Sequence, residues 1–355
     1  MARQLRAPQD HVRRALQNAP KLRPFILSNV KPTGKKLGEG AYGCVEELEV
    51  NGLICAGKKM YDTLTDSGNE GANRMIQKYY DECQLLSDLH HPNIVKFWGI
   101  YFPQHSSNNL PVLVMERLQG NLDSLLESTP NIPLAKKCSI LQDVARGLQY
   151  LHSRSPVIIH RDLTARNVLI NSAMVAKIAD MGNSRIVDIQ PGQLARTMSV
   201  GAPGTIVYMP PEAFEVKPKY GPKLDMFSFG HLTLFTAIQE FPGNLHPPNY
   251  QDPATGRLTP RNEVERRSKY METLWKKFGG SHKLVQLITQ CLEYTPAKRP
   301  SASEALQRLQ LMLEQQKQLE IEVLSIHTSR ILPLTPQCMY CYRHLKAKCC
   351  GSSRE

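Results

Sequence analysis

His160-Arg161-Asp162-Leu163-Thr164-Ala165-Arg166-Asn167 has the spacing that phosphoryl transfer needs. It offers a carboxylate to orient a hydroxyl nucleophile and, five residues later, an amide oxygen for a metal ion. Alone, such a pattern can arise by chance in 355 residues. What gives it weight is that companion motifs occur in order around it. Upstream, Gly38-Glu39-Gly40-Ala41-Tyr42-Gly43-Cys44-Val45 is a G-x-G-x-x-G-x-V loop, in which glycine lets backbone amides close over phosphate oxygens without Cβ interference. The same glycine spacing can open a dinucleotide-binding unit, but that unit needs a helix directly after the loop. Here Val45–Val50 and Leu53–Met60 read instead as two strands about the turn Asn51-Gly52, predicting a hairpin lid over a nucleotide.

In these motifs the chain resembles the eukaryotic protein kinase superfamily, over roughly residues 31–313. The resemblance implies an α+β, two-lobed fold: a strand-rich N-lobe (31–114), a hinge (115–119) and a mainly helical C-lobe (120–313). Residues 1–30 read as a basic leader, and 314–355 as a helical extension with a basic, cysteine-rich tail. Ala56-Gly57-Lys58 looks like the A-x-K of the third strand, so Lys58 is expected on the α- and β-phosphates. Period-two alternation sends the neighbouring Lys59 to the opposite face. A helical pattern over Met75–Leu89 precedes His91-Pro92-Asn93-Ile94-Val95. Counting back by the family pattern makes Glu82 the carboxylate that bridges to Lys58 once that helix swings inward. Glu70 is set aside because it reads as part of the polar linker 66–71. Adjacent His90 and His91 lack a completing ligand cluster and read as structural.

Downstream, the short apolar strand Val175–Ile178 leads into Asp180-Met181-Gly182, the D-F-G position with Met for Phe. The resemblance implies ATP as cofactor with two Mg²⁺ ions, one on Asp180 and one on Asn167. Val112–Glu116 looks like the strand entering the hinge, with Met115 as gatekeeper and Glu116 to Leu118 bonding adenine through the backbone. Gly38, Glu39, Gly40, Ala41, Tyr42, Gly43, Val45, Ala56 and Leu169 complete the expected nucleotide contacts. Gly204-Thr205-Ile206-Val207-Tyr208-Met209-Pro210-Pro211-Glu212 resembles the G-T-x-x-Y-x-A-P-E that ends an activation segment. Glu212 is expected to pair with Arg299, and Asp225 to anchor the backbone of the catalytic loop. Asp162, Lys58, Glu82, Arg166 and Thr205 form the expected catalytic set. Arg161 suggests a loop organised by phosphate, with Thr197 and Ser199 as sites.

Acceptor specificity is mixed. D-L-T-A-R-N, with Arg166 four after Asp162, is close to the tyrosine-kinase form D-L-A-A-R-N. The segment ending in P-P-E looks like the Ser/Thr form, with Thr205 against Asp162. The combination resembles the tyrosine-kinase-like group, and Ser/Thr is favoured because the site that holds the acceptor sets specificity. Tyrosine or dual specificity stays open. So does a pseudokinase scaffold of the same fold, against which stands the retention of Lys58, Glu82, Asp162, Asn167 and Asp180.

Composition fits a soluble globular protein, 41% hydrophobic and 21% charged, with no secretory h-region. A cytoplasmic location with a protein substrate is expected. The net charge of +12 lies mostly in the flanks: residues 1–30 hold six Arg/Lys against Asp10, and 326–355 hold five against Glu355. That leaves +3 for residues 31–325, so no specific nucleic-acid binding is expected of the catalytic domain. Cys338, Cys341, Cys349 and Cys350 crowd the tail, with His344 between. Three readings stand: free thiols, S-acylation beside basic residues giving a membrane-surface anchor, and zinc ligation.

Overall fold

The computed structural model describes residues 21–40, 43–61, 70–103, 111–187, 208–214, 221–239, 271–280 and 282–329. They fall in two compact units. The first runs to Gly120 and takes in Leu169–Ala173 and Lys177–Ser184; the second holds the remainder. Thr205, Ala41, Tyr42, Thr197, Ser199, the leader to residue 20 and the tail cysteines lie outside the described residues.

The first unit is built on five strands: β1 (Val30–Gly40), β2 (Gly43–Val50), β3 (Leu53–Met60), β4 (Phe97–Tyr101) and β5 (Val112–Glu116). Their order is β1-β2-β3-β5-β4, every pairing antiparallel. The expected β2–β3 hairpin is present. Asn51 at φ 50° and Gly52 at φ 84° supply the two left-handed residues that a tight two-residue hairpin turn requires. Pro32, which cannot donate a ladder bond, falls on the edge strand β1.

Alternation divides the sheet into two faces. Leu48, Val50, Cys55, Val112 and Val114 pack with Val30 into one apolar cluster. Their neighbours in register, Val45 opposite Lys58 and Ala56 opposite Met115, share the other face. Helix α1 spans Glu70–Ser87. It therefore begins at Glu70 rather than Met75, and Glu70 is helical rather than part of a linker. Gly71 and a polar first turn hide this start, although an acidic residue there suits the helix dipole.

In the second unit α2 (Leu122–Ser128) is capped by Asn121, whose Oδ1 accepts from Ser124 N–H at 2.8 Å. Helix α3 (Leu134–His152) begins after Pro133 and buries an apolar stripe at i, i+3, i+4, i+7 and i+10, namely Leu141, Val144, Ala145, Leu148 and Leu151. Helix α4 (Pro222–Ile238) is buried at every position from Leu224 onward, polar residues included, the Thr233 and Thr236 hydroxyls donating to Phe229 O and Leu232 O. Helix α5 spans Lys283–Cys291. Helix α6 (Ala302–Ser329) opens on a capping box. Ser301 N–H donates to Glu304 Oε2 at 2.7 Å, and Glu304 N–H to Ser301 Oγ at 3.2 Å. Along it Leu306 and Leu309 are buried, Met312 and Leu313 are half-buried, and the helix packs on α3.

Candidate functional site

The first unit assembles a charged triad. Lys58 Nζ donates to both Glu82 oxygens, at 2.8 and 3.0 Å, and to Asp180 Oδ1 at 2.9 Å. β3 fixes Lys58, α1 presents Glu82 across from it, and Asp180 follows the strand Ala176–Ile178. Glu82 is only 4% exposed. Burial alone would lower the Lys58 pKa, but Glu82 and Asp180 outweigh it and hold the ammonium well above the usual lysine range. The helix carrying Glu82 is therefore already swung in. Lys59, on the opposite face, is half-buried.

Asp180 has φ 60°, ψ 77°, a left-handed conformation that costs a non-glycine residue of order 1–3 kcal/mol. Its carboxylate accepts from Lys58 and, at 3.3 Å, from Gly182 N–H, which ties the strained residue in place. Met181 is buried, as an apolar occupant of the D-F-G middle position should be. In the glycine loop Gly40 pairs with Gly43, and a Cβ on Gly43 would lie 2.0 Å from Lys59 O. Only glycine allows β2 this close to β3. Glu39 accepts from Lys36 and from Tyr61 Oη. Along the nucleotide-facing positions Val45, Ala56 and Leu169 are half-buried, and Met115 and Leu118 are buried. Glu116 N–H is engaged by Lys96 O at 2.9 Å. Its carboxylate accepts from Lys177 Nζ at 2.7 Å.

The second unit holds the catalytic-loop motif. Asn167 Nδ2 donates to Asp162 O at 2.8 Å and to Asp162 Oδ2 at 3.2 Å, bringing these two predicted residues together. Asp225, fully buried on α4, accepts Arg161 N–H at 2.8 Å and His160 N–H at 2.9 Å. His152 Nε2 lies 2.8 Å from its Oδ2. Burial pushes the Asp225 carboxyl up, but the His152 bond and charge, the His160 charge and the Arg161 amide outweigh it, and the net shift is down. Arg161, at φ 69°, is held in its left-handed conformation by this anchor. Arg166 directs Nε to Asp123 Oδ2 at 3.0 Å and is 81% exposed. The expected Glu212–Arg299 pair is present and bidentate, with Nη2 to Oε2 at 2.8 Å. Arg299 also donates to the Glu293, Lys223 and Tyr294 carbonyls, so a guanidinium with no exposed surface is fully satisfied.

The donor set suits a hard cation. In the second unit, with Asn167 Nδ2 turned to Asp162, the Asn167 Oδ1 is left to face an ion; in the first unit, Asp180 offers a carboxylate that is 41% exposed. Among the described residues no cluster of three or more His, Cys, Asp and Glu forms a metal cage.

Comparison with known proteins decides the family. A model described as the protein kinase domain matches residues 32–309. The chain belongs to the protein kinase family. Among its relatives, the serine/threonine-protein kinase VIK of Arabidopsis thaliana is 31% identical over 281 residues, covering 78% of this chain and 59% of its own. The seven transmembrane domain-containing tyrosine-protein kinase 1 of Dictyostelium discoideum is 31% identical over 304 residues, 81% of this chain and 39% of its own. The serine/threonine-protein kinase CTR1 of Arabidopsis thaliana is 29% identical over 297 residues, 82% and 32%. The chain spans 24% to 59% of the length of the first three curated relatives it matches. Among the described residues of this kinase, no helix is long and apolar enough to cross a membrane.

Three participants of this kinase escaped the sequence reading: His152, Lys177 and Tyr79. His152 closes an amphipathic helix, and Lys177 sits inside an apolar strand. Neither has a local motif, because their partners Asp225 and Glu116 are 73 and 61 residues away.

Proposed function

We propose that the protein transfers the γ-phosphoryl of ATP to a hydroxyl of a protein substrate, Ser/Thr favoured, as a tyrosine-kinase-like kinase. The observation that carries this is the Lys58–Glu82–Asp180 triad, in a chain whose catalytic loop also joins Asn167 to Asp162. When bound, ATP with Mg²⁺, two ions by the family pattern, supplies the electrophilic phosphoryl group. Lys58, held charged, binds the α- and β-phosphates; Asp180 and Asn167 hold metal; the loop around Gly38, Gly40 and Gly43 covers the phosphates. The Glu116 carbonyl and Leu118 backbone bond the base, since the Glu116 amide is already engaged. Asp162 receives or orients the acceptor proton. Catalysis on this reading is positioning and electrostatics.

Two relatives named as serine/threonine kinases support the Ser/Thr reading. The tyrosine reading leaned on Arg166, whose guanidinium is engaged by Asp123. One relative named as a tyrosine kinase keeps it in play. A cytoplasmic place, with an acylated basic tail visiting a membrane surface, rests on composition alone. Hydroxylamine-sensitive lipid on the tail cysteines would support that anchor, and its absence would remove it.

The test is phosphotransfer from labelled ATP with Mg²⁺, wild type beside Asp162→Asn, followed by phosphoamino-acid analysis. Label on serine or threonine in wild type alone supports the proposal. Label on tyrosine overturns the specificity. ATP binding without transfer across a range of substrates makes the protein a scaffold.

A further inference from the structure

Helix α1 is fastened to the sheet by one buried hydroxyl. Tyr79 is 6% exposed and lies one turn before Glu82, on the same side of the helix. Its Oη accepts Leu113 N–H at 2.8 Å and faces two carbonyls with its single proton, Pro111 O at 2.8 Å and Lys58 O at 2.9 Å. Lys58 and Leu113 are register partners on β3 and β5. The hydroxyl thus bridges both strands at the residue whose ammonium Glu82 must meet. Cys83, also fully buried, follows it on the helix.

We propose that Tyr79 is a positioning residue: it pins α1 in the inward place, so that the Lys58–Glu82 pair is preformed and does not await a helix movement. An outward swing would take the acceptor from Leu113 N–H and the one phenolic proton from the carbonyls it faces, and a buried group left unmet carries its full desolvation cost. A helix meant to swing needs contacts it can exchange for solvent, and these cannot be exchanged. Burial, which holds the phenol pKa well above its ordinary value, keeps the proton on Oη at any physiological pH. Nucleotide binding then adds to a site whose ion pair already stands. This inference rests on the kinase reading above.

The test compares wild type, Tyr79→Phe and, as a stability control elsewhere in the same unit, Val50→Ala. Three readouts are taken: kcat and KM for ATP, thermal midpoint, and hydrogen exchange by segment. The expected result for Tyr79→Phe is a kcat lower by roughly tenfold, the factor one net hydrogen bond supplies. Exchange should rise selectively across 77–87, while Val50→Ala loses stability without that signature. Unchanged kcat with unchanged exchange in α1 overturns the proposal. So does a rise in exchange spread evenly over the unit, which would make Tyr79 merely structural. If Tyr79→Phe does not fold, the wild type decides. Amides of 77–87 that exchange as slowly as β5 support the pin, and amides orders of magnitude faster overturn it. Should wild type bind ATP yet transfer nothing, the kinase reading fails, and the exchange data still judge the pin.

Discussion

Asn167 grips Asp162 at two points, donating to its main-chain carbonyl at 2.8 Å and to its carboxylate at 3.2 Å. The residue expected to hold a metal thereby also aims the residue expected to meet the acceptor hydroxyl. Asp162→Asn should keep ATP affinity and lose about 10²-fold or more in turnover, the scale of general-base contributions. Asn167→Ala should match that loss and also raise the Mg²⁺ concentration needed for half-maximal rate. A metal titration of the single variants checks both.

Lys58→Met removes the cation between two carboxylates and breaks its buried ion pair with Glu82. A broken buried pair costs about 3–5 kcal/mol, lessened here because Lys58 is 27% exposed. Transfer should fall to background and urea stability by about 2–4 kcal/mol. Lys58→Met/Glu82→Leu should recover most of the stability and none of the activity.

Arg299→Leu should be worse for folding than for chemistry. It would strand Glu212 and three backbone carbonyls that the guanidinium now serves. Equilibrium unfolding should show a loss of about 3–5 kcal/mol. Protein that remains folded at low temperature should retain a measurable rate.

The buried Asp225 carboxylate gives an acid-sensitive contribution. Its folded pKa lies below the unfolded one, so the folded state binds the proton less readily. The stabilisation is complete above the unfolded value of about 3.9 and is lost as pH falls through the lower folded value. Asp225→Asn should cost at least about 2 kcal/mol at neutral pH, since it weakens hydrogen bonds to a charged group. The gap to wild type should narrow below about pH 4. Urea titrations at pH 7, 5 and 3.5 measure it.

Much of this was legible from residues alone, for reasons specific to each. The β2–β3 hairpin showed through Asn51-Gly52 because few other pairs tolerate two left-handed residues in succession. Lys58, Glu82 and Asp180 were named by resemblance to the family's motifs, and the structure brings the three together. The start of α1 did not show, since Gly71 and polar neighbours resemble a linker until the sheet gives the helix something to pack on. The Tyr79 bonds and the His152–Asp225 contact did not show either, because their partners are distant in sequence and are main-chain or buried groups with no signature. The inward position of α1 was equally hidden: a motif names Glu82 and says nothing about where its helix rests.

Helix α4, buried from Leu224 onward, has a consequence for how this protein fails. Asp225 hangs the His160–Arg161 backbone from the middle of the second unit's packing rather than from a surface loop. Loosening the catalytic loop therefore means opening the core. Heat should abolish phosphotransfer and melt the second unit in one event, leaving no temperature window in which a folded yet inert molecule accumulates.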